Sequence, residues 1–157
     1  MDKTLHHLLL SATATLNRNL FRKLSGTGLT SGQPKVLDFL SLHNGCEQKD
    51  IASACEIESS TVTSLLSRME ESGLVERKTR NGNRRSLSVS LTEKGGTLQE
   101  TVAEAFTELE SQAFQGFSEL ERTEFLEKLL LVYRNLSAAP DSHTNGNNTE
   151  EETEHGD

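Results

Sequence analysis

The stretch SSTVTSLLSRMEESGLVERKTRNGNRRSLSVSLTEKGG, residues 59–96, decides the fold of this chain. Its centre, RKTRNGNRR at 77–85, holds five of the sixteen Lys and Arg residues of a protein whose formal net charge is -8. On either side, ESGLVE and SLSVSLT alternate apolar and polar residues, as strands with one buried face do. Asn81-Gly82 between them is the strongest short-range signal for a tight antiparallel turn, because both residues tolerate positive φ. The segment therefore predicts a β-hairpin with arginines at its tip.

Immediately upstream, Val62, Leu65, Leu66 and Met69 fall at i, i+3, i+4 and i+7, the spacing of one inward helical face. The opposite face carries Ser60, Thr63, Ser64, Ser67 and Glu71, with Thr61 and Arg68 to one side. Ser59 or Ser60 is expected to cap this helix, and Gly73 to end it. Before it, QKDIASAC can make two helical turns with Ile51, Ala52 and Cys55 inward. EIESS interrupts, with Ile57 as a buried plug. A short helix, a turn, a second helix and a basic hairpin make a winged helix-turn-helix.

Working outward, residues 31–43 predict a helix with Pro34 in its first turn, Val36, Leu37, Phe39 and Leu40 toward the core, and Asn44-Gly45 as its stop. Residues 2–24 carry an apolar stripe of Leu5, Leu8, Leu9, Ala12, Leu16, Leu20 and Phe21. Beyond the hairpin, Thr92 is placed to cap a long helix containing Leu98, Val102, Ala105, Phe106, Leu109, Ala113 and Phe114. A break at Gly116 and Ser118 precedes a last helix over 118–136. The expected class is mainly α with a small β-hairpin wing.

At 157 residues the chain is long enough for one domain with a real core. Residues 138–157, AAPDSHTNGNNTEEETEHGD, contain six of the twenty-four acids, no Lys or Arg and no large apolar side chain. Such a segment cannot offset the entropy of folding and reads as a disordered acidic tail. Without it, eighteen acids face sixteen bases, so the rest is nearly neutral. Between Arg77 and Lys94, the six bases Arg77, Lys78, Arg80, Arg84, Arg85 and Lys94 oppose only Glu93, a strongly basic patch. The N-terminal apolar run is too short for a signal peptide, and no stretch approaches the roughly 18–20 apolar residues of a membrane span. Two cysteines make no disulfide scaffold. The expectation is a soluble cytoplasmic protein.

This unit suits duplex DNA. The second helix fits a major groove, where small hydroxyl residues approach base edges and phosphates, and its N-terminal N–H groups and dipole favour an anion. Arginines at the hairpin tip suit the narrow, electronegative minor groove beside it. The rival use of the same fold is a winged-helix protein-interaction module without DNA binding.

Residues 29–96 resemble the core of the MarR family of bacterial transcription regulators, most specifically in GQPKVLDFL, SSTVTSLLSRMEESGLVER and NRRSLSVSLTEKG. The outer helices are similar to that family in pattern rather than in particular residues. The resemblance implies an obligate homodimer on a short pseudo-palindromic operator, usually repressing until an effector releases it. It implies dimerisation through the first helix and the last two, so that residues 1–137 form one domain: a DNA-binding lobe at about 31–92, and dimerisation helices at 2–24 and 93–137. It assigns Ser60, Thr61, Thr63, Ser64 and Arg68 to the recognition helix and Arg84 and Arg85 to the wing. Adding the neighbouring Ser67, Arg77 and Arg80 completes the candidate DNA-contacting set. One departure stands out: the family commonly has Asp before the arginine pair, and here Asn83 offers only a neutral hydrogen bond where Asp would give a charge-assisted one.

The apolar excess of the terminal helices independently asks for a two-fold partner, which would set two recognition helices about one DNA turn, roughly 34–36 Å, apart. Cys46, expected in a loop, is the one candidate redox thiol, against its reading as an ordinary small apolar residue. No nucleophile–base pair, Gly-rich phosphate loop or metal motif appears, so no enzyme, metal or cofactor is expected. By resemblance, a small aromatic or phenolic effector would lie in the crevice between dimer helices and winged lobe.

Overall fold

The computed structural model describes residues 4–80 and 83–138, the side chains of 80–86 excepted. The elements run α1 (Leu5–Lys23), α2 (Gln33–Leu42), β1 (Cys46–Glu47), α3 (Gln48–Ala54), α4 (Ser59–Glu71), β2 (Val75–Arg80), β3 (Asn83–Leu91), α5 (Glu93–Ala113) and α6 (Glu119–Ser137). The chain divides into two units, residues 1–115 and 116–157. The mainly helical architecture with its small sheet agrees with the class read from the sequence. The expected turn residues Asn81 and Gly82, and the acidic tail from Ala139 onward, lie outside the described residues.

In the first unit the core is continuous across α2, α3, α4 and the sheet. Val36, Leu37, Leu40, Ile51, Val62, Leu66, Met69 and Val89 are completely shielded from solvent. Leu20 and Leu24 reach it from α1, and Val102, Ala105 and Leu109 from α5. Each fully buried aliphatic side chain contributes roughly 1.5–3 kcal/mol, so the inward faces predicted from periodicity carry the fold. Phe39 and Ile57 are only half-buried, Ile57 less deeply than a plug, and Phe39 stacks on His43 at 4.4 Å. Lys23 of α1 and Glu108 of α5 form an ion pair that joins these two long helices.

The sheet has the order β1-β3-β2, all antiparallel. Cys46 lies opposite Val89, and Val75 opposite Leu91. Cys46 is therefore in a strand, not the expected loop; two residues are too few for a period-2 signal to be read. The hairpin register slips between Thr79 and Arg80, so that Thr79 faces Leu87 but Arg80 faces Asn83.

The caps differ in accuracy. Thr92 caps α5 as expected, its Oγ1 accepting the Gly95 N–H at 3.0 Å. The same hydroxyl donates to the Gly73 carbonyl at 2.7 Å, and Lys94 Nζ donates to the Ser72 carbonyl at 2.7 Å, so the start of α5 also closes the end of α4. Gly95 is buried against that junction: a Cβ there would lie 1.9 Å from the Leu74 carbonyl oxygen. The predicted Ser59 or Ser60 cap of α4 is not formed. Glu56 takes a left-handed φ of 50° after α3, which puts Glu58 at the N-cap and makes Ser59 already helical.

The second unit contains α6, which opens on a reciprocal cap. Ser118 N–H donates to Glu121 Oε2 at 2.8 Å, and Ser118 Oγ accepts from the Glu121 N–H at 3.3 Å. Phe117 and Phe125 meet edge to face at 6.1 Å. No residue of α6 is buried; Leu120, Leu126, Leu130, Tyr133 and Leu136 all stand exposed.

Candidate nucleic-acid interface

The helix-turn-helix is α3, the left-handed turn at Glu56, and α4. With Val62, Leu65, Leu66 and Met69 buried, the far side of α4 is fixed outward. Ser60, Thr61, Thr63, Ser64 and Arg68 are all exposed on it, as the sequence pattern predicts, while Ser67 is half-buried. Their hydroxyls are partly occupied. Thr63 Oγ1 donates to Ser59 O at 2.9 Å and accepts from Gln48 Nε2 of α3 at 2.6 Å; Ser64 Oγ reaches Ser60 O at 3.2 Å. The Gln48 contact, unread from sequence, holds the two helices of the motif together at their exposed edge. The first turn of α4 carries no acid and no side-chain cap, so its N–H groups are open to water or an anion.

Arg77, one of the candidate DNA contacts, is engaged within the protein. Its Nε and Nη2 donate to Glu70 Oε2 at 2.9 and 2.6 Å, and Nη2 also to Ser67 Oγ at 3.3 Å. Its backbone N–H donates to Glu70 Oε1 at 3.1 Å. The Arg77 side chain holds the Glu70 carboxyl below the usual carboxylate range. Lys78 pairs with Glu76 at 2.6 Å. Arg80, Arg84 and Arg85, the other expected wing contacts, have side chains outside the described residues.

Cys46 is half-buried, and burial, then the Asp50 charge, pushes its thiol up; burial does the same for Cys55. Both shifts reduce the thiolate fraction on which thiol reactivity depends. Among the described residues no three His, Cys, Asp or Glu side chains gather as a metal would need. Within the first unit, a cleft of about 430 Å³ has apolar walls of Leu16, Leu20, Pro34, Ile57 and Phe106. Lys35 lines it too, its ammonium held by the Cys55 carbonyl. No helix among the described residues is long and apolar enough to cross a membrane.

The profile of the MarR family matches residues 29–87. The HTH-type transcriptional regulator PecS of Dickeya dadantii is 37% identical over 86 residues, which are 55% of this chain and 52% of PecS. The organic hydroperoxide resistance transcriptional regulator of Bacillus subtilis is 30% identical over 100 residues, covering 64% of this chain and 68% of that protein. The chain thus spans about half to two thirds of the length of these relatives. Among solved structures, MepR of S. aureus in complex with DNA superposes with a TM-score of 0.79 at 26% identity, over 86% of this chain and 99% of MepR.

Proposed function

From its membership of the MarR family of transcriptional regulators, to which this chain belongs, we propose that it is a dimeric, sequence-specific DNA-binding regulator, a repressor released by a small effector. The observation that carries this reading is the exposed hydroxyl-and-arginine face of α4, flanked at its C-terminal end by the strands of a basic wing. Ser60, Thr61, Thr63, Ser64 and Arg68 would meet base edges and phosphates of one major groove, and Arg80, Arg84 and Arg85 the neighbouring minor groove. That MepR, whose fold is similar, forms a complex with DNA supports DNA as the ligand.

Dimerisation through residues 2–24 and 93–137 is supported by unpartnered apolar side chains on α1 and on α6, Leu5 and Leu8 on one and Leu126 and Leu130 on the other. Leaving these exposed on a lone protomer would be costly, and a two-fold copy covers like with like. The cleft beside Leu16 and Phe106 is the place for a small aromatic effector.

The test is titration of the protein against the DNA upstream of its own coding region at two salt concentrations, with an Arg84→Ala/Arg85→Ala variant alongside. The expected result is tight binding that weakens steeply with salt, because each neutralised phosphate releases counterions, and that the variant loses. Binding of no duplex even at low salt would leave only a winged-helix protein-interaction module.

A further inference from the structure

β2 is the outer strand of its sheet, so the outward backbone groups of the wing have no neighbouring strand. At Arg77 this edge is closed by α4 itself. Glu70 takes the Arg77 backbone N–H on one carboxylate oxygen and the side-chain Nε and Nη2 on the other. Ser67, one turn earlier on α4, accepts a further bond from Nη2. The Arg77 side chain is left only 19% exposed. A guanidinium has five N–H donors; here Nε and Nη2 converge on one carboxylate oxygen and Nη2 also reaches Ser67, so two of its three nitrogens are held within the protein.

We infer that Glu70, Arg77 and Ser67 form a clamp that sets the wing's angle to the recognition helix, and that Arg77 and Ser67 are positioning residues rather than DNA contacts. This rests on the DNA-binding reading above. The wing is anchored to α4 covalently only through the short turn Ser72–Leu74, and the clamp adds a second point of attachment further along β2. The β1 pairing and the buried Val75 and Val89 hold the base of the sheet, and the clamp fixes β2 against α4 beyond them. Without the clamp, more of the ordering of β2 must be supplied at binding, which weakens affinity without removing any contact.

The clamp and simple electrostatics predict opposite signs for one substitution. Glu70→Gln removes a negative charge from a face meant to meet phosphates. Long-range attraction alone would then tighten binding, whereas loss of the clamp loosens it. The expected result is binding weakened on the order of fivefold, the upper end of what a partly exposed charge pair is worth. Glu70→Asp changes no charge but withdraws the carboxylate by one methylene, and should weaken binding in the same direction. Arg77→Gln should match Glu70→Gln, and the double variant should be no worse than either single one.

A second readout separates position from contact. Because the bound wing keeps its phosphate contacts, Arg77→Gln should leave the slope of log K against log salt unchanged; a slope reduced by about one would mean that Arg77 itself neutralises a phosphate. In the free protein, amide hydrogen exchange at Arg77 and along β2 should quicken in every clamp variant, with helical content unchanged. Binding by Glu70→Gln as tight as wild type, or tighter, overturns the clamp, as does unchanged exchange at Arg77. Since exchange is measured without DNA, a wild-type chain that bound no duplex would sink the regulator reading and still leave the clamp itself decided.

Discussion

Two adjacent glycines at the start of α5 should respond to the same substitution with opposite signs. At Gly95 a Cβ would stand 1.9 Å from the Leu74 carbonyl oxygen and 2.9 Å from its carbon, both backbone atoms. Relief needs a shift of more than 1 Å between α5 and the foot of the wing. That shift would strain the Thr92 hydroxyl, which serves the Gly95 N–H and the Gly73 carbonyl at once. Forced overpacking costs typically ~1–3 kcal/mol, and a clash against backbone belongs at the top of that range. Alanine returns up to ~1 kcal/mol of helix propensity, so Gly95→Ala should destabilise by about 2 kcal/mol. For a chain of this size that is a fall of roughly 4–8 °C in melting temperature at fixed protomer concentration. Gly96, one residue on, has a helical backbone and nothing within 4 Å of the place a methyl group would take. Gly96→Ala should therefore stabilise by about 0.5–1 kcal/mol. Thermal unfolding of the three proteins followed by circular dichroism decides it. A Gly95→Ala protein as stable as wild type would refute the close approach of α5 to Leu74.

Further outcomes follow from other contacts. Glu56→Gly should raise stability by about 0.5 kcal/mol, since the left-handed conformation costs a non-glycine residue ~1–2 kcal/mol and glycine returns part of that as unfolded-state entropy; chemical denaturation measures it. Ser118→Ala should cost about 1 kcal/mol through loss of the α6 cap, and a change below a few tenths would deny that the cap forms. The Ser118 backbone N–H, and then its hydroxyl, hold Glu121 below the usual carboxylate range, so its contribution is full above the ordinary value of about 4.3 and disappears as pH falls through the lower folded value. The stability gap between wild type and Glu121→Gln should accordingly stay constant above about pH 5 and close in acid. Cys46 and Cys55 should react with a thiol reagent at pH 7.5 more slowly than a free cysteine, because burial has raised both; faster labelling of Cys46 would support it as a redox thiol.

Much of this was legible because helical periodicity survives burial. Val62, Leu65, Leu66 and Met69 had to share a face, and fixing that face fixed Ser60, Thr61, Thr63, Ser64 and Arg68 outward. Thr92 was legible as a cap because a threonine before EKGG satisfies a local rule that needs no tertiary context. What could not be read depends on distant partners. Strand β1 exists only because β3 lies beside it. The α4 start moved because Glu56 accepts a left-handed turn that no propensity announces. Arg77 looked like its basic neighbours, and only its seven-residue separation from Glu70 across a helix-to-strand turn, a distance invisible to i, i+4 arithmetic, gave it a different place.

The two-residue strand β1 has a consequence out of proportion to its length. By pairing Cys46 with Val89 it joins the chain just before α3 to the return strand of the wing, enclosing α3, α4 and the whole outgoing strand in one loop. Because Asn44 Oδ1 also accepts the Leu91 N–H at 2.8 Å, that loop is fastened at two successive points. Closing a loop this long carries an entropic cost that the enclosed segments repay only together. The helices and the hairpin should therefore open and re-form as a single cooperative unit, with amides in α3 and β3 exchanging at a common rate. An insertion in the wing tip leaves this clasp intact. A proline at Gly45 would remove the N–H that donates to the Val89 carbonyl at 2.9 Å, and would loosen it.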